Sequence, residues 1–292
     1  MRVLRPAPNV LAFYEGRGDG IRLSPDGRNW VDQGALSLGI ASYAVVDGPR
    51  ALVYDTHVSV DRGALIRETL EAEGVSEITV LLSHWHLDHV AGTEAFAGCE
   101  VIAGARTDEL LREHRAAIEA GTHEGPPAID PLVLPTRVLD GDTELKLGET
   151  ALELLAVDIH SDDATVVWLP EQRLLLAADV VEDTVTYVGE PWGFAQHLTD
   201  LDRLDALGPA RILPAHGDPD VIAAGGYNRG LIRATQQYIR ALLRIKEQPE
   251  LAETPLRELI AGPLETGWIN YHPGYEEVHA ENLKTVLGWD RA

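Results

Sequence analysis

Residues 84 to 89 read His84-Trp85-His86-Leu87-Asp88-His89 and follow directly on the apolar run Ile78-Thr79-Val80-Leu81-Leu82 and Ser83. His84 and His86 are two apart, so in an extended segment both imidazoles project to the same side. Asp88 and His89 come where the chain is expected to turn into a helix, and a carboxylate there gains from the helix N-terminal dipole. The strand end thus offers two nitrogen donors to one metal ion, and the turn offers an oxygen and a nitrogen to a second. A closed structural zinc site normally draws on cysteines, and the chain has only Cys99. A single cysteine also excludes an intramolecular disulfide framework and fits a reducing compartment.

Around this motif short apolar runs alternate with turn signals. Leu38 to Val46 and Ala51 to Tyr54 flank Asp47-Gly48-Pro49, which predicts a hairpin. From Asp61 to Glu73 the spacing becomes helical, with Leu65, Ile66, Thr69 and Leu70 on one side and Gly74 placed to stop it. Strand, helix, strand is a βαβ unit, so the sheet is at least partly parallel. The second half repeats the theme with Leu145 to Val157, Ala164 to Leu169, a turn at residues 170–173, Leu174 to Ala178, a helix from Leu201 to Leu207 and the strand Arg211 to Pro214. Two mixed halves predict an α/β sandwich of two sheets with helices outside. After Gly225-Gly226, the residues Leu231, Ala234, Tyr238, Leu242 and Ile245 recur at helical spacing, and a second helix is expected from Tyr275 to Leu287. The expected organisation is one domain over residues 1–222 with a helical extension, 223–292, packed on it.

Four further residues stand at carboxyl ends of predicted strands, where α/β sheets gather ligand sites. They are Asp55 after Ala51 to Tyr54, His160 after Leu145 to Val157, Asp179 after Leu174 to Ala178, and His216 after Arg211 to Pro214. In this order, behind the His-x-His-x-Asp-His motif, they make the chain resemble the metallo-β-lactamase fold superfamily over roughly residues 38 to 220. The resemblance implies a four-layer αββα sandwich with a metal site at one edge of the two sheets. It implies that His84, His86 and His160 hold one metal, that Asp88, His89 and His216 hold a second, and that Asp179 bridges them. Asp55 would orient the ligands. True β-lactamases carry a cysteine or a non-ligand in place of Asp179, so the pattern is that of the broader hydrolases.

The implied cofactor is two Zn²⁺ per chain, although the same side chains also accept iron or manganese. The implied reaction is hydrolysis of a small carboxylic ester, lactone or amide by a metal-bridging hydroxide, with Asp88 as the catalytic residue that orients the nucleophile or handles its proton. Iron-dependent persulfide dioxygenases and phosphoesterases of the same fold are the alternative readings. Glu182 and Tyr187 follow Asp179, where lactonases of the family often carry a tyrosine. Tyr187, Trp192, Tyr227 and His279 are candidates for the substrate pocket. Segments 187–197 and 268–275 either line that pocket or pack the helical tail onto the sandwich. His57, His114, His123, His197 and His272 receive no assignment.

Composition narrows the partners. With 47 Asp and Glu against 24 Lys and Arg, the formal charge is −23, which repels a phosphate backbone and argues against DNA or RNA. The expected partner is a small-molecule substrate, and self-association into a homo-oligomer is left open. Hydrophobic residues make up 45% of the chain, enough to separate it from acidic disordered sequences. No apolar stretch of about 18 residues occurs, and residues 1–14 lack the apolar core of a signal peptide. A cytoplasmic protein without a membrane partner is expected.

Overall fold

The computed structural model describes residues 1–18, 22–25 and 27–289. One sheet takes seven strands in chain order: β1 (Arg2–Ala7), β2 (Val10–Glu15), β3 (Ile40–Asp47), β4 (Arg50–Tyr54), β5 (Glu77–Leu81), β6 (Glu100–Gly104) and β7 (Arg137–Leu139). The other takes β8 (Thr143–Leu147), β9 (Thr150–Ala156), β10 (Thr165–Leu169), β11 (Leu174–Ala178) and β12 (Arg211–Pro214), ordered β12-β11-β10-β9-β8. The helices are α1 (Val60–Ala72), α2 (Leu87–Val90), α3 (Ala105–Glu119), α4 (Phe194–Ala206), α5 (Pro219–Ala223), α6 (Gly230–Glu247), α7 (Leu256–Leu259), α8 (Ala261–Glu265) and α9 (Tyr275–Gly288).

Connection length decides strand direction. The tight turn at Gly48-Pro49 makes β3 and β4 antiparallel, whereas α1 carries the chain back so that β5 runs parallel to β4. Ser59 caps α1 by accepting from the Arg62 N–H, and Gly74 ends it in the left-handed region at φ +92°. The buried face of α1 is Gly63, Ile66 and Leu70. The expected Leu65 faces solvent, because the helix turns Gly63 inward, where a Cβ would stand 2.5 Å from the Gly92 carbonyl oxygen.

The first sheet sorts its side chains by strand alternation. Val10, Ala12, Tyr14, Ala41, Tyr43, Val45, Leu52 and Tyr54 join the second sheet in one apolar cluster. Leu11, Phe13, Ala44, Val53 and Val80 point the other way and pack with Ile66 and Leu70 of α1 and Leu111 and Ile118 of α3. Leu201 and Leu204 of α4, Leu231, Tyr238 and Ile239 of α6 and Val286 of α9 cluster with the second sheet. The result is helices, sheet, sheet, helices, an α/β sandwich as expected.

Three local expectations change. Leu145 to Val157 is two strands, because Gly148 turns the chain at φ +60° and the Asp47 carboxylate accepts from the N–H groups of Glu149 and Thr150 in that turn. The helix expected from Leu201 begins at Phe194, and β1 and β2 form a hairpin from a segment whose prolines, Pro6 and Pro8, hid it. Residues 290–292 of the expected extension lie outside the described residues. Among the described residues no helix is long and apolar enough to cross a membrane.

The two sheets are tied together at one end. Three buried tyrosines of the first sheet donate to backbone carbonyls near the second: Tyr14 to Gly217 (3.1 Å), Tyr43 to Pro214 (2.5 Å) and Tyr54 to Thr165 (2.7 Å). Backbone bonds from Ala41 to Ala215, from Ala215 to Ala178 and from Thr165 to Ser83 continue the seam. Every strand end predicted to carry a ligand opens at this seam.

Candidate metal centre

Six residues of the metal set reach the seam from the carboxyl ends of β5, β11 and β12 and from the loops beside them. His84 and His86 follow β5, and His86 is the residue from which the single-turn helix α2 starts. Asp88 and His89 lie on that turn. Asp179 follows β11 and His216 follows β12. His160, the seventh, sits in the loop between β9 and β10. Backbone strain accompanies these positions: Asp55, His160 and Ala178, the residue before Asp179, all adopt positive φ, at +67°, +70° and +45°. Non-glycine residues hold this conformation only where the surroundings over-determine it.

The inward atoms converge. His86 Nδ1 lies 3.0 Å from both His84 Nε2 and His160 Nε2. One oxygen, Asp179 Oδ2, lies 3.2 Å from His89 Nε2, 3.3 Å from His216 Nε2, 3.7 Å from His160 Nε2 and 3.8 Å from His84 Nε2. Asp88 spans the other side, with Oδ1 3.5 Å from His89 Nε2 and Oδ2 3.3 Å from His216 Nε2. Three triads have donor atoms close enough to share an ion: His84, His86 and His160; His84, His89 and Asp179; Asp88, His89 and His216.

Outer contacts aim these rings. The His89 Nδ1–H donates to Asp55 Oδ2 (2.8 Å), and the same carboxylate accepts from the Ser83 hydroxyl (2.8 Å) and backbone N–H (2.7 Å). With its proton on Asp55, the Ser83 oxygen accepts from the His84 Nδ1–H at 2.8 Å. The His216 Nδ1–H donates to the Gly39 carbonyl at 2.7 Å. Each of these three rings is thereby held by its outer nitrogen, with Nε2 turned inward. Asp55, expected to orient, therefore reaches two ligand candidates at once.

Electrostatics match the geometry. Burial pushes His84, His86 and His160 below the ordinary histidine range, His86 to about 4 and His160 to about 3, so their nitrogens are free of added protons at neutral pH. Burial works against ionisation of Asp179 and Asp88, yet His89 and His216 outweigh it and keep both carboxylates ionised. The same pairings, again against burial, raise His89 and His216. Without an ion, protons on His89 and His216 balance the two carboxylates; a divalent ion supplies that charge instead. Asp179 Oδ1 is buried with no hydrogen-bond partner among the described residues. Neutral imidazoles, ionised carboxylates and an unpaired buried oxygen suit a divalent cation.

Five of the seven, His86, Asp88, His160, Asp179 and His216, form the floor of a cavity of about 570 Å³, a volume that suits a small molecule. Tyr187 and Trp192 line it, and Trp192 is 65% exposed. Two candidates do not reach it. The Tyr227 hydroxyl is buried, donating to Asp183 Oδ2 (2.6 Å) and accepting from the Asp218 N–H. His279 sits against Tyr238, with Nδ1 2.9 Å from its hydroxyl. Both were drawn inward by the apolar packing of the tail, which the local sequence does not reveal. Of segment 268–275, Gly274 lines the cavity, while Trp268 and Tyr271 pack on the core.

Sequence reasoning missed several wall residues. Glu182 accepts from the Tyr187 N–H and the Tyr275 hydroxyl, both at 3.0 Å, and its Oε1 lies 3.7 Å from His160 Nδ1. Burial first, and then the Asp179 charge, lift its carboxyl to about 7. Its signal was its position three residues after Asp179. The π-helical segment Trp30–Leu36 lends Trp30, Gln33 and Ala35 to the cavity, and Trp85 stacks on His114 with ring centroids 4.7 Å apart. Among the described lining residues Arg28 is the sole Arg or Lys, against Glu124, Glu190, Glu277 and Glu281 at the walls.

Comparison with known proteins agrees with this architecture. The beta-lactamase-like protein 2 homolog of Caenorhabditis elegans is 25% identical over 181 residues, 61% of this chain and 56% of the relative, so this chain spans little more than half of that protein's length. The atrochrysone carboxyl ACP thioesterase of Paecilomyces divaricatus is 28% identical over 227 residues, 76% of this chain and 65% of the relative. Among solved structures, a metallo-beta-lactamase from Pontibacter korlensis superposes with a TM-score of 0.62 over 82% of this chain and 98% of its own, at 17% identity, a likeness of fold alone. The family model of the metallo-beta-lactamase superfamily matches residues 38–216, which run from the residues before β3 to the last histidine of the cluster. With fold, ligand geometry and family model in agreement, the chain belongs to the metallo-beta-lactamase superfamily.

Proposed function

We propose that this protein is a metal-dependent hydrolase with a pair of zinc ions, acting on a small acyl compound: a carboxylic ester, thioester, lactone or amide. The observation that carries the reading is the convergence of four imidazoles on the single oxygen Asp179 Oδ2, with Asp88 across from it. His84, His86 and His160 would hold one ion, Asp88, His89 and His216 the other, and Asp179 both. Bound there, the ions would supply Lewis acidity toward the scissile oxygen and lower the pKa of water.

The chain's own residues do the rest. Ser83 and Asp55 hold His84 and His89 through their outer Nδ1 atoms and leave the inner Nε2 of each aimed at the site. Asp88, whose side chain is 16% exposed, is an ionised carboxylate at the cavity floor, able to orient water or take up its proton at either oxygen. Tyr187, ring centroid 5.9 Å from that of His160, stands over the floor where an acyl group would rest. Trp30, Trp85 and Trp192 supply apolar surface. The glutamates at the walls disfavour polyanionic substrates, which supports a small neutral or cationic molecule over nucleic acid. The thioesterase named among the relatives is the support for including thioesters.

Elemental analysis of protein purified without added metal, followed by a panel of small esters, thioesters, lactones and β-lactams, tests the reading. About two zinc ions per chain and turnover of an acyl substrate are expected. One iron per chain with oxygen consumption on a persulfide would replace it with a dioxygenase.

A further inference from the structure

A second group of donors lies beside the cavity, apart from the cluster on its floor. His197, in the first turn of α4, is 2% exposed, and its Nε2 is buried without a hydrogen-bond partner among the described residues. Asp158, in the loop that leads to His160, has a buried Oδ1 that likewise lacks one. The two atoms lie 3.1 Å apart, an ion-pair distance, without the geometry of a hydrogen bond. Two atoms held by one ion at about 2.1 Å in tetrahedral geometry lie roughly 3.4 Å apart, close to what is seen here. Glu190 brings a carboxylate oxygen within 4.8 Å of both.

The space facing the pair is left by a glycine. A Cβ on Gly193 would stand 2.6 Å from His197 Nε2 and 3.4 Å from Asp158 Oδ1. Gly193 has φ −79°, a backbone that other residues adopt readily, so conformation alone does not call for glycine there. The negative charge at this point is also under-compensated. Burial first, and then Asp162, Asp158 and Asp163, raise the Glu190 carboxyl to about 7.

We propose that Asp158, Glu190 and His197 form a second cation site that takes a divalent transition-metal ion such as zinc. One imidazole and two carboxylates match zinc or manganese better than calcium, which prefers oxygen alone. Two carboxylates balance the ion's charge. Asp158 is two residues before His160, and Glu190 is two residues before Trp192. An ion here would clamp the loop that carries one ligand candidate to the wall that carries Trp192. Its role would be positional, with no contact to the reacting atoms.

Native mass spectrometry of the full-length protein through a zinc titration counts ions per chain. The wild type is expected to saturate at one ion more than His197→Gln and one more than Glu190→Gln, with thermal stabilisation by zinc reduced in both. Gly193→Ala, which fills the space with a methyl group, should lose the same ion. If His197→Gln does not fold by circular dichroism, the half-buried Glu190→Gln decides. Equal saturation counts in wild type and Glu190→Gln would overturn the proposal. The count left in the variants reports the floor cluster separately: zero there would sink the zinc-pair reading and leave this site standing.

Discussion

The two flanks of the metal centre are held by different means. On the flank after β5, side chains hold side chains: Asp55 and Ser83 pin His84 and His89 through their outer nitrogens. On the flank after β9, β11 and β12, two donors have loose outer ends, since His160 Nδ1 and Asp179 Oδ1 have no hydrogen-bond partner among the described residues. There the backbone is held instead, by the Tyr43 and Tyr54 hydroxyls on Pro214 and Thr165 and by the Ala215 to Ala178 bond. A contiguous motif can be stiffened by residues beside it in the chain. Ligands scattered over some 60 residues depend on the seam between sheets.

The largest effect should come from the residue facing both flanks. Asp179→Asn removes the central charge and is expected to lower kcat by about 10³-fold or more, with ions lost in elemental analysis. A residual activity near that of wild type would break the picture of a shared oxygen.

Next comes a flaw in the otherwise well-tied flank. His57, two residues past Asp55, is fully buried with φ +68° and no partner for either ring nitrogen among the described residues. Burial above all depresses it to about 4. As pH falls below about 6.5, the unfolded chain takes up a proton that the native state refuses until about 4, so stability falls across that window by about 3 kcal/mol. His57→Asn, which tolerates the left-handed backbone, should flatten this part of the acid limb in urea titrations at several pH values.

Asp55→Ala frees two imidazoles together and should weaken zinc binding by about 10²-fold, measured by competition with a chelator. Tyr43→Phe tests the backbone-held flank: it leaves the Pro214 carbonyl unpaired and should cost about 1 to 2 kcal/mol of stability. Glu182→Gln should do least, changing kcat/KM by less than about tenfold, or 1.4 kcal/mol. Its nearest approach to His160 is 3.7 Å, too far to hold the ring. A loss as large as that of Asp55→Ala would mean both flanks are anchored alike.

This asymmetry also explains what could be read from the chain. The six-residue motif and the βαβ unit were legible because their signals are local: alternation, helical spacing, and Gly74 as a stop. His160, Asp179 and His216 were legible only in their order, each weak by itself. Tyr227 and His279 misled because their partners, Asp183 and Tyr238, stand 44 and 41 positions away. The positive φ of Asp55, His160 and Ala178 leaves no mark in composition, since none is glycine. The role of Glu182 emerged only with Tyr275, 93 positions away.

The division of labour around the cavity carries a consequence for how such a protein diversifies. The floor is drawn from the sandwich, but Gly274, Glu277, Val278 and Glu281 of the tail and Tyr187 to Trp192 build much of the facing wall. Mutations that alter which molecule fits can therefore accumulate in segments that supply none of the seven clustered donors. Exchanging residues 272–281 between relatives should move substrate preference while leaving the chemistry inherited intact.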